Sequence, residues 1–345
     1  MYFYYSFKRY GLLTTAIMRK TIVILILINL FTVGYSQIIK GKVMDLNTQT
    51  VIDFAAVYFN GTSTGTYTSQ KGYFELDISQ YKSMPLTISA LGYYSITLDD
   101  LSSNNLYIVY LTPKEYELSE VVITARNNSL KRRISLNTFK REFLGTSSNA
   151  RSCYLENEND IMLIFKPKSD TLKAYSLNPL IIHNKALGYK LIYYLDKFEF
   201  SNSKGYFRII GSCIFIADTT NFINLQEQFE RKRFSTFLGS RMHFFRSLWE
   251  NNLDQAGFIV TDPSVSKLTY DRIVTQTDSL SKYITYPGKL LVIYFSGLQQ
   301  GIIEMIKDSV NFDQDGFFDP LGILWEGKMA EKRIGDLLPF EYKPK

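Results

Sequence analysis

The chain carries two histidines and two cysteines in 345 residues, a thin supply of the side chains that bind transition metals or act as nucleophiles. A zinc carboxypeptidase needs two His and a carboxylate on the metal, with a Glu beside the bound water. Neither His183 nor His243 begins a His-x-x-Glu, since Ala186 and Arg246 stand three residues on. The chain therefore lacks the ligand pattern of that chemistry, and no cofactor is expected. Cys153 and Cys213 lack the local signature of a cysteine protease. They are candidates for a disulfide, with two buried thiols as the alternative. No Gly-x-Ser-x-Gly elbow occurs.

Two further constellations stand out. Asn311, Asp313, Asp315 and Gly316 occupy the first, third, fifth and sixth positions of a calcium loop. The twelfth position is Gly322, where a bidentate Glu is required, so the segment reads as an acidic turn. Arg241, His243, Arg246 and Trp249 lie close together on the helical stretch, and His243, Arg246 and Trp249 advance three at a time along one flank of a helix. They form the candidate binding site, a groove for an anionic glycan or a carboxylate. The competing reading is a solvated helix face, which Arg231-Lys232-Arg233 also suggests.

The elements that must hold these residues follow from pattern. Residues 1–36 read as a signal peptide: Arg19 and Lys20, then an apolar run from Thr21 to Val33, then Gly34, Tyr35 and Ser36 before cleavage at Gln37. The run is too short for a permanent span, so no transmembrane segment is expected in the mature chain. Met18 is taken as the start of translation and residues 1–17 as an extension of the leader. Removing the leader takes Lys and Arg from 39 to 35 against 33 acids. The mature chain is then near neutral, which removes the electrostatic argument for nucleic acid.

Seven short strands separated by turns follow, at Ile38–Met44, Val51–Asn60, Thr66–Thr68, Tyr73–Ile78, Leu86–Ala90, Ile96–Leu98 and Leu106–Leu111. Alternation with period two and turns every 8–12 residues predict a two-sheet β-sandwich over residues 38–111. Residues 112–135 read as a linker with one extra strand near Val121–Thr124. Residues 136–345 mix a short helix ended by Gly145, long strands over Leu187–Phe200 and Tyr206–Ala217, and a helical stretch from Phe222 to Asn252. Gly239 splits that stretch and Ser240 caps its second half. The expected fold is mostly β with α+β: a seven-stranded sandwich, then a larger α+β domain.

Gly41 and Val43, Ala55, Ala56 and Val57, Gly72 and Phe74, and Gly92 and Tyr93 together resemble the carboxypeptidase-regulatory-like domain. The resemblance covers about residues 38–125 and implies a prealbumin-like sandwich. Where that family often has Thr-Asp before the turn, this chain has Thr68-Ser69-Gln70-Lys71. Glu115 to Ala125 is similar to the segment joining such a sandwich to the plug of TonB-dependent outer-membrane receptors. A receptor barrel of about 22 strands needs far more chain than follows. Phe143-Leu144-Gly145, Asn149-Ala150, Asn178-Pro179-Leu180, His243-Phe244 and Asp336-Leu337-Leu338-Pro339 are similar to the C-terminal region of exported carboxypeptidase-like regulatory-domain proteins. That resemblance implies architecture and compartment, not a reaction. The expectation is an exported, non-catalytic binding or structural module of the bacterial cell envelope, periplasmic or associated with the outer membrane, in contact with an envelope protein or a carbohydrate. The alternative is a periplasmic hydrolase with its active site in the C-terminal domain.

Overall fold

The computed structural model describes residues 37–81, 83–101, 106–114, 122–123, 129–219, 222–262, 267–276, 282–295 and 299–345. The expected signal peptide, the start at Met18 and most of the segment similar to the receptor linker lie outside the described residues.

Seven strands open the fold: β1 (Ile38–Asp45), β2 (Ala56–Phe59), β3 (Gly65–Tyr67), β4 (Tyr73–Asp77), β5 (Leu86–Ser89), β6 (Ile96–Leu98) and β7 (Leu106–Leu111). They form two sheets, ordered β4-β1-β7 and β3-β2-β5-β6. β1 pairs antiparallel with β4 and parallel with β7. Alternation sends Ile39 and Val43 of β1, and Phe74 and Leu76 of β4, inward. They meet Val57, Phe59, Leu86 and Ile88 of the other sheet in one core. This is the β-sandwich expected from the strand pattern. β2 and β5 are buried on both faces, which a two-sheet sandwich alone does not explain. The rest of the chain supplies the cover.

That cover begins with the two-residue strand β8 (Val122–Ile123), helices α1 (Ser129–Leu144) and α2 (Ser148–Arg151), and strands β9 (Cys153–Leu155), β10 (Met162–Lys166), β11 (Thr171–Tyr175) and β12 (Leu180–Asn184). A long hairpin follows, β13 (Tyr189–Ser201) and β14 (Tyr206–Ala217). These strands make one sheet ordered β8-β10-β11-β13-β12-β9, with β14 on the far edge of β13. α1 drops Phe139 and Phe143 onto it, against Phe198 at 4.8 Å and Tyr193 at 5.0 Å between ring centres. The helix begins at Ser129, inside the stretch expected as linker. Its polar first turns are held from outside the helix: the Arg132 guanidinium donates to the carbonyls of Glu158 and Ile161.

Helices α3 (Ile223–Phe237) and α4 (Arg241–Trp249) come next, split where expected. Gly239 has φ of 65°, and the Ser240 hydroxyl accepts from the His243 amide. The chain then runs through β15 (Phe258–Thr261), α5 (Tyr270–Ile273), β16 (Val274–Gln276), β17 (Lys282–Ile284), β18 (Lys289–Tyr294), β19 (Gln299–Met305), β20 (Val310–Phe312), β21 (Ile323–Gly327) and α6 (Lys328–Glu331). Two small sheets, β15-β18-β19-β21 and β16-β17-β20, close around Phe244, Phe245 and Leu248 of α4. The C-terminal region is α+β and holds two hydrophobic cores.

The sandwich is knitted to this region through the loop after β2. Gly61 donates to the Cys213 carbonyl, Phe215 donates to the Thr62 carbonyl, and Phe340 donates to the Gly61 carbonyl. Gly61 sits at φ of 78°, and a Cβ there would lie 2.8 Å from the Phe340 ring. Only glycine satisfies both conditions. The buried Tyr58 hydroxyl bonds Ser89 on its own sheet and Ser212 on β14, and its ring stacks on Tyr194. A bulge in β13 between Leu195 and Lys197 turns the intervening Asp196 toward the sandwich. Its carboxylate pairs with Lys114 at 3.2 Å and accepts from the Ser95 amide.

The acidic turn also joins the two parts. Asp313 is buried, and its Oδ1 accepts from the Asp315 and Phe317 amides. Its Oδ2 accepts from Ser83 of the sandwich. This carboxylate is spent on a turn, as the missing twelfth-position Glu implied. Burial raises its pKa to about 6 against the pull of those donors. A folded-state value above the unfolded one stabilises the fold below about pH 4, and that contribution is lost as pH rises through about 6. Asp313→Asn keeps the shape without the charge. We expect it to be more stable than the parent at pH 7.5 by about 3 kcal/mol, and near-equal at pH 4, in urea unfolding at the two pH values. An equal effect at both would contradict this.

Candidate functional site

The groove expected around Arg241, His243, Arg246 and Trp249 is not open in the structure, and each of the four is taken up by internal packing. The Arg246 guanidinium donates to the carbonyls of Asp315, Phe340 and Tyr342. Arg241 donates to the Lys332 carbonyl and lies over the Trp325 ring. His243 packs among Phe237, Phe258 and Tyr294, and its Nδ1 accepts from the Gly239 amide. Burial, with Lys332 and Arg246 nearby, pushes it down to about 4, so the ring is neutral. Trp249 lies beneath Lys282, whose ammonium donates to the Trp249 carbonyl. These residues do lie on a helix, but they point inward: Arg246 is covered by chain some 70 to 100 residues away, and His243 and Trp249 by segments that follow the helix.

The cysteines do not pair. Both are free thiols. Cys153 on β9 and Cys213 on β14 are separated by β12 and β13. Three strand spacings separate their strands by about 14 Å, already twice the reach of a disulfide, and the register puts Ala217, not Cys213, level with Cys153. Burial pushes both thiols up to about 12, which makes them inert. His183 lies on β12 against Tyr154 and Glu156, His243 lies on α4 among Phe237, Phe258 and Tyr294, and the two share no partner. Among the described residues no group of three or more His, Cys, Asp and Glu comes together to hold a metal.

The structure instead gathers polar side chains in a cleft beside α3, made of two hollows walled by that helix and a third that adjoins the second through Lys185. The first, of about 380 Å³, lies between α2, α3 and α6. At its base the Asn149 amide donates to Thr236 and to Asp336, and the Ser147 hydroxyl also donates to Asp336. Ser147 caps α2 by accepting from the Ala150 amide. Asn149 Oδ1 is buried without a hydrogen-bond partner. Lys332 donates to the carbonyls of Thr236 and Leu238 at the end of α3. Burial lowers its pKa, partly offset by Asp336. Lys232 and Lys328 complete this wall.

Lys232 and Ser235 also wall the second hollow, of about 470 Å³, with Lys185 and Arg231. Lys185 in turn walls the third, of about 400 Å³. There the antiparallel pairing of β9 with β12 sets Tyr154 opposite His183. Their rings stack at 4.5 Å, within 2° of parallel, and the Lys185 ammonium lies over Tyr154. His183 Nε2 bonds the Glu156 carboxylate at 2.7 Å. Tyr154 and Glu156 share a strand face because they are two apart, and Cys153 therefore faces the other way, toward the core. Arg233, next to these lysines in sequence, is structural: it donates to the Leu187 and Gly188 carbonyls and lies over Tyr189.

The sequence places Lys232 on a solvated face, offers Asn149 and Asp336 only as points of resemblance in the C-terminal region, and does not single out Tyr154 or Lys185. The spacing of Tyr154 and Glu156 was a legible signal. Their meeting with His183 depends on a strand pairing that the sequence does not display.

Comparison with known proteins gives one family. Residues 39–123 match the CarboxypepD_reg-like domain. No curated protein matches the chain. Among solved structures, a protein of unknown function from Bacteroides fragilis NCTC 9343, described as membrane-associated, aligns at 10% identity over 84% of this chain and 94% of its own, with a TM-score of 0.18. A 9R-lipoxygenase from Cyanothece PCC8801 aligns at 8% identity over 62% of this chain and 48% of its own, with a TM-score of 0.19. Scores this low carry no argument about fold or activity. Among the described residues no helix is long and apolar enough to cross a membrane. The strands of the sandwich and their pairing agree with the family match, and residues 39–123 are similar to the CarboxypepD_reg-like domain.

Proposed function

We propose that the chain is an exported, non-catalytic binding module of the bacterial cell envelope, and that the cleft along α3 holds an anionic glycan at the periplasmic face of the outer membrane. The observation that carries this reading is the cleft's composition. Lysines from α3, α6 and the turn after β12 line it with Ser, Thr and Asn groups and outnumber the acids Asp218, Glu331 and Asp336, of which Glu331 pairs with Lys328; the exposed Tyr154 ring stands at one end. Cations select carboxylate or sulfate, hydroxyls and amides satisfy sugar hydroxyls, and an aromatic face stacks on a sugar ring. The free thiols, pushed up by burial, offer no nucleophile at neutral pH.

The test is calorimetry with soluble peptidoglycan fragments, with neutral maltooligosaccharides for comparison. Lys185→Glu combined with Lys232→Glu should weaken fragment binding at least about tenfold, and binding should fall with added salt. Unchanged affinity in the double variant would leave these lysines as surface charge. One observation favours a second reading, a periplasmic hydrolase: the Glu156–His183 pair has the geometry of an oriented general base. It requires turnover of the same fragments that is lost in His183→Gln. Binding without product supports the module.

A further inference from the structure

We propose a second, separate site: a groove between α1 and the β10–β11 turn that takes one long-chain anionic amphiphile, a fatty acid carboxylate, as a monomer. The groove has a volume of about 1380 Å³, larger than any hollow of the polar cleft. One wall is the face of α1 bearing Lys131, Ile134, Thr138 and Arg141, opposite the face that sends Phe139 and Phe143 into the core. The other wall is Phe165 through Asp170, with Leu172 of β11 and Phe200 of β13 behind. Ile134 is 58% exposed and Phe165 38% exposed, so apolar surface faces water in a concavity, where a chain of methylenes can cover it.

Charge selects the head group. Lys131 and Arg141 stand on the helix side, and Lys166 and Lys168 on the turn side. Arg141 also pairs with Glu142, and the one acid on the walls, Asp170, accepts from the Ser203 amide of the neighbouring hairpin. Cations on both sides of an apolar trough complement a single anion attached to a long hydrocarbon. Concavity separates a monomer from a bilayer, because a membrane surface is met by a protruding apolar face, not by a trough.

The experiment is equilibrium dialysis of radiolabelled hexadecanoate below its micelle concentration, with hexadecanamide as the uncharged comparison. One hexadecanoate should bind per chain. Ile134→Asp should weaken it at least about tenfold, and Phe165→Glu serves as a second variant on the opposite wall. Circular dichroism checks that each is folded. Lys131→Glu with Lys168→Glu should weaken hexadecanoate at least about fivefold and leave the amide unchanged. The proposal fails if hexadecanoate does not bind, if folded Ile134→Asp and Phe165→Glu bind like the parent, or if the charge reversal weakens acid and amide alike. It also fails if phosphatidylglycerol vesicles capture the protein through Ile134 while monomeric hexadecanoate does not bind.

Discussion

Replacing Asp196 by Ala should destabilise the protein by about 3–5 kcal/mol, read from the urea midpoint of unfolding. The Lys114 and Asp196 side chains are 7% and 13% exposed, so their attraction is little screened by water. Burial lowers the Lys114 pKa, and the Asp196 charge is what opposes that shift. Without the carboxylate, the ammonium keeps the Leu195 carbonyl and the Tyr94 ring, and the Ser95 amide loses its acceptor. The change should also loosen the sandwich from the β13–β14 sheet, because Lys114 follows β7 while Asp196 sits on the bulge of β13. The double change Lys114→Met with Asp196→Leu removes both charges together and should recover most of the loss. A single-variant effect below about 1 kcal/mol would show that water already reaches the pair.

The second large effect is expected at Arg246. Its guanidinium satisfies three backbone carbonyls, two of them in the C-terminal segment at Phe340 and Tyr342. Arg246→Ala leaves those acceptors buried and unpaired, at roughly 4 kcal/mol in total. Arg246→Lys should recover a minority of this, since an ammonium lacks the planar fork that reaches all three. The loss should be local as well as global: Phe340 also donates to Gly61, so freeing the segment exposes it to protease while β13 and β14 persist. A variant whose C-terminal segment is cleaved no faster than the parent's would contradict this role.

Both residues show how far local pattern reaches. The seven strands of the sandwich were legible because alternation and turn residues are local signals, and β1 with Ile39 and Val43 buried is the plain case. The Ser240 cap and the break at Gly239 were legible for the same reason. The inward direction of Arg241, His243 and Arg246 was not, because amphipathic spacing says which residues share a face and not what covers it. The bulge that aims Asp196 depends on the register of β13 with β14, which no single strand displays. The cleft along α3 combines Asn149, Lys232, Lys328 and Asp336 from four separate segments. Only Tyr154 and Glu156, two apart at the end of β9, leave a trace in the sequence. Helix α1 was read short because its first turns are polar, and Arg132 is anchored by carbonyls far along the chain.

The most direct measurement of the central claim is hydrogen exchange with and without soluble peptidoglycan fragments. The account predicts slowed exchange confined to residues 147–155, 183–190 and 232–236, with the sandwich loops unchanged. Protection on the sandwich instead, with the α3 cleft unaltered, would contradict it.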